Sequence, residues 1–260
     1  MTHGGNEGDH AVLARAVDLA EQAGKLIMTI RDGGFAVRRK ADDSVVTEAD
    51  QASESLILAG LREAFPGCVV VAEEEVAAGA VPAAAAEFWL VDPLDGTKEF
   101  SSGGRDFAVN IGLVRNGCPV LGAVGVPATG EVFSGIVGVG AWLRKGAVTT
   151  PIHARVPPPE GLTVVSSRHH GDQARLDAYL AGRPVARSVN FGSSLKFCRL
   201  AQGEADLYPR FGRTMEWDTC APQAVLEAAG GSVETMDATP LRYGKPGWDN
   251  PHFVCWGRRA

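Results

Sequence analysis

The stretch Phe88–Thr97 leaves a chain few ways to fold. An apolar run, Phe88 to Val91, has the composition of a buried strand, and Pro93 removes a ladder donor just beyond it. Asp92 and Asp95 stand at the end of that strand, and Gly96-Thr97 follow at once. Two acids three positions apart, ahead of a glycine turn, can hold a hard divalent cation. The N–H groups of such a turn can receive a phosphate. Asp-Pro and Asp-Gly are also common turn pairs, so the segment standing alone reads more readily as a loop. The rest of the chain weighs against that plainer reading.

Around this segment the pattern predicts a mixed α/β fold. Residues 10–31 carry Leu13, Ala16, Val17, Ala20, Ile27 and Ile30 at helical spacing, with Asp9 as N-cap, after a polar tail over 1–9 that reads as disordered. A second helix is predicted over 49–64, stopped by Pro66-Gly67. Cys68–Ala72 reads as a strand running into Glu73-Glu74-Glu75, and 76–86 as an Ala-rich surface excursion. Residues 107–144 read as a meander with turns at Asn116-Gly117 and Thr129-Gly130. Pro151 and Pro157-Pro158-Pro159 mark a subdomain boundary, which divides the chain into 10–150 and 151–260. Beyond it, strands over 162–166, 186–191 and 205–208 alternate with helices over 172–180, 194–202 and 219–229. Short strands near Val233 and Phe253 close the fold.

With 260 residues the chain can bury a substantial core. A formal charge of −6 argues against binding nucleic-acid polymers, which favours broad basic surfaces. An anionic substrate would have to be met locally, by cations and a few Lys or Arg. The five cysteines are scattered and lack Cys-x-x-Cys spacing, which points to free thiols in the cytoplasm rather than a disulfide frame or zinc knuckle. The polar start is not that of a signal peptide, and no apolar run approaches a membrane span.

The acids form a pattern. Glu73 follows one strand and Asp92 and Asp95 follow another. Asp218 stands just before a predicted helix, and Asp50 opens an earlier one. Strand ends are where sheet proteins gather functional groups from distant parts of the chain. Each acid has a plainer reading. Asp218 could cap its helix, Asp50 could meet a helix dipole, and Glu73–Glu75 could be a solvated rim. The combination favours a common site, because all of them fall at element boundaries.

Thr47-Glu48-Ala49-Asp50, Ala72-Glu73-Glu74, Trp89 to Thr97, and Trp217-Asp218 followed by Ala229-Gly230-Gly231 resemble the inositol monophosphatase superfamily, in order and in approximate spacing along almost the whole chain. Gly96–Phe100, Gly192–Phe197, Gly203–Arg210 and Met215–Asp218 resemble its 3′(2′),5′-bisphosphate nucleotidase branch. Ala72 departs from the Ser or Gly common before the Glu pair. The resemblance implies a layered α-β-α-β-α sandwich and a Mg²⁺-dependent phosphatase that uses two or three ions. It implies as substrate adenosine 3′,5′-bisphosphate, a by-product of sulfate activation and sulfonate transfer, cleaved to AMP and orthophosphate. Lithium inhibition is characteristic of relatives, and some associate loosely with the inner membrane. Monomer and homodimer both stay open.

Carried over residue by residue, the resemblance makes Glu73, Asp92, Asp95 and Asp218 metal ligands, with the Leu94 carbonyl as another. Two ions roughly 3.5–4 Å apart can hold both the attacking and the leaving oxygen of an in-line displacement. Thr97, hydrogen-bonded to Asp50, would orient the attacking water and help deprotonate it, with Glu73 in the same catalytic group. The Gly96 and Thr97 N–H groups would hold the 3′-phosphate. Asp218 would stand beside the departing ribose oxygen. Gly192, Ser193 and Ser194 would face the ribose or a phosphate, and Lys196 and Arg210 the 5′-phosphate. The plainer readings of the last two are a surface helix lysine and a structural ion-pair partner.

Two other classes compete. Haloacid-dehalogenase-type phosphatases also use an Asp at a strand end, but with Asp-x-Asp spacing, which Asp92 and Asp95 do not have. A non-catalytic anion-binding protein on the same fold would be expected to have lost Glu73, Asp95, Thr97 or Asp218, and all four are present. A sibling phosphatase acting on inositol phosphate or fructose bisphosphate keeps the same acids and is separable only by its substrate.

Overall fold

The computed structural model describes residues 7–39, 45–83, 85–167 and 172–259. Two long helices, α1 (Glu7–Gly33) and α2 (Glu48–Ala64), lie side by side on a seven-stranded sheet. Its strands run in chain order: β3 (Val70–Ala72), β4 (Glu87–Asp95), β5 (Ala108–Arg115), β6 (Cys118–Val126), β7 (Glu131–Ile136), β8 (Gly140–Lys145) and β9 (Val148–Ile152). β3 is parallel to β4, and every later neighbour is antiparallel. A short ribbon, β1 (Val37–Arg39) with β2 (Val45–Thr47), joins α1 to α2.

The second sheet has the order β11 (Val185–Phe191), β10 (Leu162–Ser167), β12 (Leu207–Arg210), β14 (Phe253–Trp256), β13 (Ser232–Thr235). Helices α6 (Leu195–Ala201) and α7 (Glu216–Ala228) fill the space between the sheets. Leu195, Phe197, Ala221 and Val225 pack there against Val124 and Phe133 of the first sheet and Val165, Tyr208 and Phe253 of the second. On the far face of the second sheet, Tyr179 and Leu180 of α5 (Gln173–Leu180) cover Leu162, Val164 and Leu207. The layers therefore run α, β, α, β, α, as the resemblance implied.

A row of glycines sets how close α7 comes. Gly112, Gly122 and Gly135 are cross-strand neighbours on β5, β6 and β7. A Cβ at Gly112 would stand 2.7 Å from the Ala221 nitrogen, one at Gly122 2.3 Å from the Ala221 oxygen, and one at Gly135 3.0 Å from Val225 Cα. The missing side chains make a trough in which the backbone of α7 lies directly on the sheet. That places the first turn of α7, with Asp218, against the end of β4, with Asp92.

Several boundaries differ from the sequence reading. β4 runs past Val91 and through Pro93 to Asp95, its ladder shifting register between Asp92 and Asp95 so that the missing Pro93 donor is accommodated. α1 opens at Glu7, so Asp9 is an inward helical residue bound to Arg115 at 3.3 Å rather than a cap, and of the expected tail only residues 1–6 lie outside the described residues. α7 opens at Glu216, so Asp218 lies inside its first turn, where its Oδ2 accepts the Met215 N–H at 2.8 Å. Acids are favoured in a first helical turn, which extends this helix beyond its apolar pattern. β9 reaches Ile152, so the first sheet crosses the expected division at 150.

Candidate active site

Several strand and helix ends meet at one cavity of about 310 Å³. Its walls include Glu73, Asp92, Leu94, Asp95, Gly96, Thr97, Gly192, Ser193, Ser194, Lys196, Arg210 and Asp218. Asp50 reaches it through Thr97.

Glu73 is the first residue of α3 (Glu73–Ala77), directly after β3. Asp92 and Asp95 end β4 around a register shift, and that irregularity turns both toward the cavity. Gly96 has φ +94° and starts α4 (Thr97–Ser101). A Cβ there would also stand 2.9 Å from the Asp106 carbonyl, so backbone shape and space both require glycine.

Asp50 is held by a network that fixes which oxygen faces the site. Its Oδ2 accepts the Thr47 N–H at 2.7 Å and the Thr47 hydroxyl at 2.6 Å. That leaves Oδ1 for the Thr97 hydroxyl at 3.0 Å. The same hydroxyl lies 3.1 Å from the Leu94 carbonyl and has one proton to divide between the two acceptors. Burial raises the Asp50 carboxyl above its ordinary value, against the pull of the Thr47 bonds.

The acids feel one another. Asp92 is 1% exposed, and burial pushes its carboxyl well above the usual range. The charges of Glu73, Asp95 and Asp218 push it further. Asp218 is likewise raised by burial and then by Asp95 and Glu73, while Arg210 pulls it down. Among the described residues no group of three or more His, Cys, Asp and Glu side chains is arranged to hold a metal ion as it stands. The acids share the cavity wall without closing on one point. Their donor set still fits a hard cation, because every donor is an oxygen and crowded buried carboxylates are stabilised by a positive charge between them.

The second sheet contributes a loop laid across this wall. Gly192 donates its N–H to Asp106 at 3.1 Å. Ser193, with φ +54°, donates its hydroxyl to Asp95 Oδ2 at 2.7 Å, and the Ser194 N–H reaches the same oxygen at 2.6 Å. The Ser194 hydroxyl donates to Asn110 Oδ1 at 2.8 Å. Lys196 is not a surface lysine. It is 4% exposed, and its ammonium donates to the carbonyls of Phe191 and Ser193 and lies 5.3 Å from the centre of the Tyr208 ring. Burial lowers it to about 8, although Asp95 pulls the other way. Arg210 lines the cavity and donates to the Arg213 carbonyl at 3.0 Å.

Several supporting residues escaped the sequence reading. Ser53 donates to the Pro93 carbonyl at 2.8 Å, inside the Asp92–Asp95 turn. Asn110 is fully buried and is the register partner of Asp92. A lone amide in the apolar run Phe107–Val114 was a signal for it, as was a polar stripe on the inward face of α2 for Ser53.

The profile of the inositol monophosphatase family matches residues 9–252. The chain belongs to that family. Within the inositol monophosphatase family it is similar to the 3′(2′),5′-bisphosphate nucleotidase CysQ of Escherichia coli K12, with 42% identity over 234 residues, 89% of this chain and 94% of the relative. Its structure is similar to that of CysQ from Bacteroides thetaiotaomicron, with a TM-score of 0.82 and 32% identity, covering 98% of this chain and 100% of the other. An inositol monophosphatase from Anabaena has a TM-score of 0.76 at 26% identity, covering 96% and 92%.

Proposed function

We propose that this chain is a Mg²⁺-dependent 3′(2′),5′-bisphosphate nucleotidase that removes the 3′-phosphate of adenosine 3′,5′-bisphosphate, leaving AMP and orthophosphate. The observation that carries the reading is the meeting of Glu73, Asp92, Asp95 and Asp218 at one cavity, where burial and mutual repulsion raise Asp92 and Asp218. The match to nucleotidases along most of the chain supports this substrate over inositol phosphates.

These four carboxylates and the Leu94 carbonyl would hold Mg²⁺. When bound, Mg²⁺ neutralises phosphate charge and makes water more acidic. The chain's own residues do the rest. Asp50 orients the Thr97 hydroxyl and can take up its proton, so that Thr97 can accept one from water. The Gly96 and Thr97 N–H groups, at the opening of α4, receive the 3′-phosphate. Ser193 and Ser194 brace Asp95 from the nucleotide side. Lys196 and Arg210 bring positive charge to that side, where the 5′-phosphate would lie.

Among the described residues no helix is long and apolar enough to cross a membrane. The five cysteines form no disulfide, and we take the cytoplasm as the compartment in which such thiols persist. The inner-membrane association of some relatives is not carried over to this chain.

Phosphate release from adenosine 3′,5′-bisphosphate, inositol 1-phosphate and fructose 1,6-bisphosphate, with and without Mg²⁺, tests the proposal. Preferential Mg²⁺-dependent release from the nucleotide is expected. Preferential hydrolysis of inositol 1-phosphate would sink the substrate assignment.

A further inference from the structure

α3 begins without a cap of its own. Its N-cap residue is Ala72, which has no side-chain oxygen and makes no capping bond. A helix start leaves such donors unsatisfied, and a Ser, Thr or Asp at the N-cap ordinarily takes the N–H of the second or third residue. Here a residue from another helix takes both. Glu54 Oε2 accepts the Glu74 N–H at 2.8 Å, and Glu54 Oε1 accepts the Glu75 N–H at 2.8 Å.

Glu54 is 5% exposed, an unusual place for a glutamate. It lies on α2 four residues after Asp50 and one after Ser53, so the three share an inward face. Each ties a different segment of the site to this one helix. Asp50 bonds Thr97 at the start of α4, Ser53 bonds the Pro93 carbonyl in the strand-end turn, and Glu54 bonds the start of α3. The third tie falls directly after Glu73, the first residue of α3 and its contribution to the cavity wall.

We propose that Glu54 is a positioning residue for Glu73, supplying from α2 the cap that Ala72 lacks and so fixing the direction in which α3 presents the Glu73 carboxylate. The proposal rests on the reading of Glu73 as a Mg²⁺ ligand. Groups that orient a metal ligand typically cost tenfold or more in metal affinity when removed, even though they never touch the ion.

The test compares metal-stripped wild type, Glu54→Gln and the double variant Glu54→Gln/Ala72→Ser. Mg²⁺ binding is measured by titration calorimetry without substrate, beside the Mg²⁺ dependence of phosphate release. Gln keeps the volume and one acceptor oxygen but turns an NH₂ group toward the other N–H. The Mg²⁺ dissociation constant of Glu54→Gln is expected to rise roughly tenfold, with the substrate KM at saturating Mg²⁺ unchanged. Ala72→Ser gives α3 a cap of its own, and the double variant is expected to recover most of the lost Mg²⁺ affinity. A merely structural glutamate would lower thermal stability and leave Mg²⁺ affinity alone. Glu54→Gln binding Mg²⁺ like wild type, or a double variant no better than the single one, overturns the assignment. Should Glu54→Gln not fold, Glu54→Asp, whose shorter side chain cannot reach both N–H groups, replaces it with the same two outcomes. Wild type that neither binds Mg²⁺ nor releases phosphate overturns the functional reading and this one together. A change confined to Glu54 variants concerns this one alone.

Discussion

Ser193 Oγ lies 2.7 Å from Asp95 Oδ2, joining two residues 98 positions apart in the chain. Asp95 ends β4 of the first sheet, and Ser193 precedes a helix packed between the sheets. The same carboxylate oxygen also accepts the Ser194 N–H, which leaves its other oxygen to the cavity. A candidate metal ligand is thus oriented by the half of the molecule proposed to read the nucleotide. Lys196 steadies that half by donating to the Ser193 carbonyl.

Ser193→Ala removes a hydrogen bond that orients Asp95. A hydrogen bond to a charged group is worth about 1.5–3 kcal/mol, so kcat/KM should fall by roughly tenfold or more. The Mg²⁺ concentration for half-maximal rate should rise with it. Steady-state rates across a Mg²⁺ series check both, and an unchanged Mg²⁺ dependence rejects the linkage.

Asp92→Asn and Asp218→Asn should fold yet lose activity by roughly a hundredfold, because each removes a ligand charge. Without Mg²⁺, both should unfold at temperatures no lower than wild type, since a neutral amide relieves the buried repulsion that raises these carboxyls. Calorimetry with and without Mg²⁺ separates the two effects. Retained turnover in both variants rejects the metal assignment.

Gly122→Ala should destabilise the protein by about 1–3 kcal/mol, the usual penalty of overpacking a tight contact. Its Cβ would lie 2.3 Å from the Ala221 carbonyl, so α7 must lift from the sheet. Activity should fall further than stability alone explains, because Asp218 moves with α7. Urea unfolding alongside kcat under native conditions measures the pair. Gly130→Ala, a glycine with nothing within 4 Å, serves as the comparison for overpacking, although its φ of +67° adds backbone strain.

Glu227, on α7 away from the site, is raised by burial from 4.5 to about 7. The folded protein therefore keeps this proton at pH values where the unfolded chain has released it. This group's contribution to stability is therefore greatest below pH 4.5 and is lost as pH rises toward 7. Glu227→Gln cannot titrate, so its thermal midpoint should gain on wild type between pH 4.5 and 7.5. A constant difference across that range defeats the prediction.

The elements were legible because their patterns are local. The inward residues of α1 and α2 recur at helical spacing, and turns in the meander announce themselves at Asn116-Gly117 and Thr129-Gly130. The start of α7 was not legible, because Glu216-Trp217-Asp218 lacks the apolar period and is helical through its acids and its packing on the sheet. Lys196 reads as a solvated lysine in isolation, and only the surrounding loop and Tyr208 make it a buried one.

The chain's order alone determined which acids end up at element boundaries, since strand ends, glycine turns and helix starts are decided by neighbours a few residues apart. Which of those boundaries touch was decided by packing. The glycine trough brings the start of α7 to the end of β4, and the inward face of α2 ties α3, the Pro93 turn and α4 to one helix. No local pattern encodes those meetings, because they depend on backbone approach across the sheet and between helices far apart in sequence.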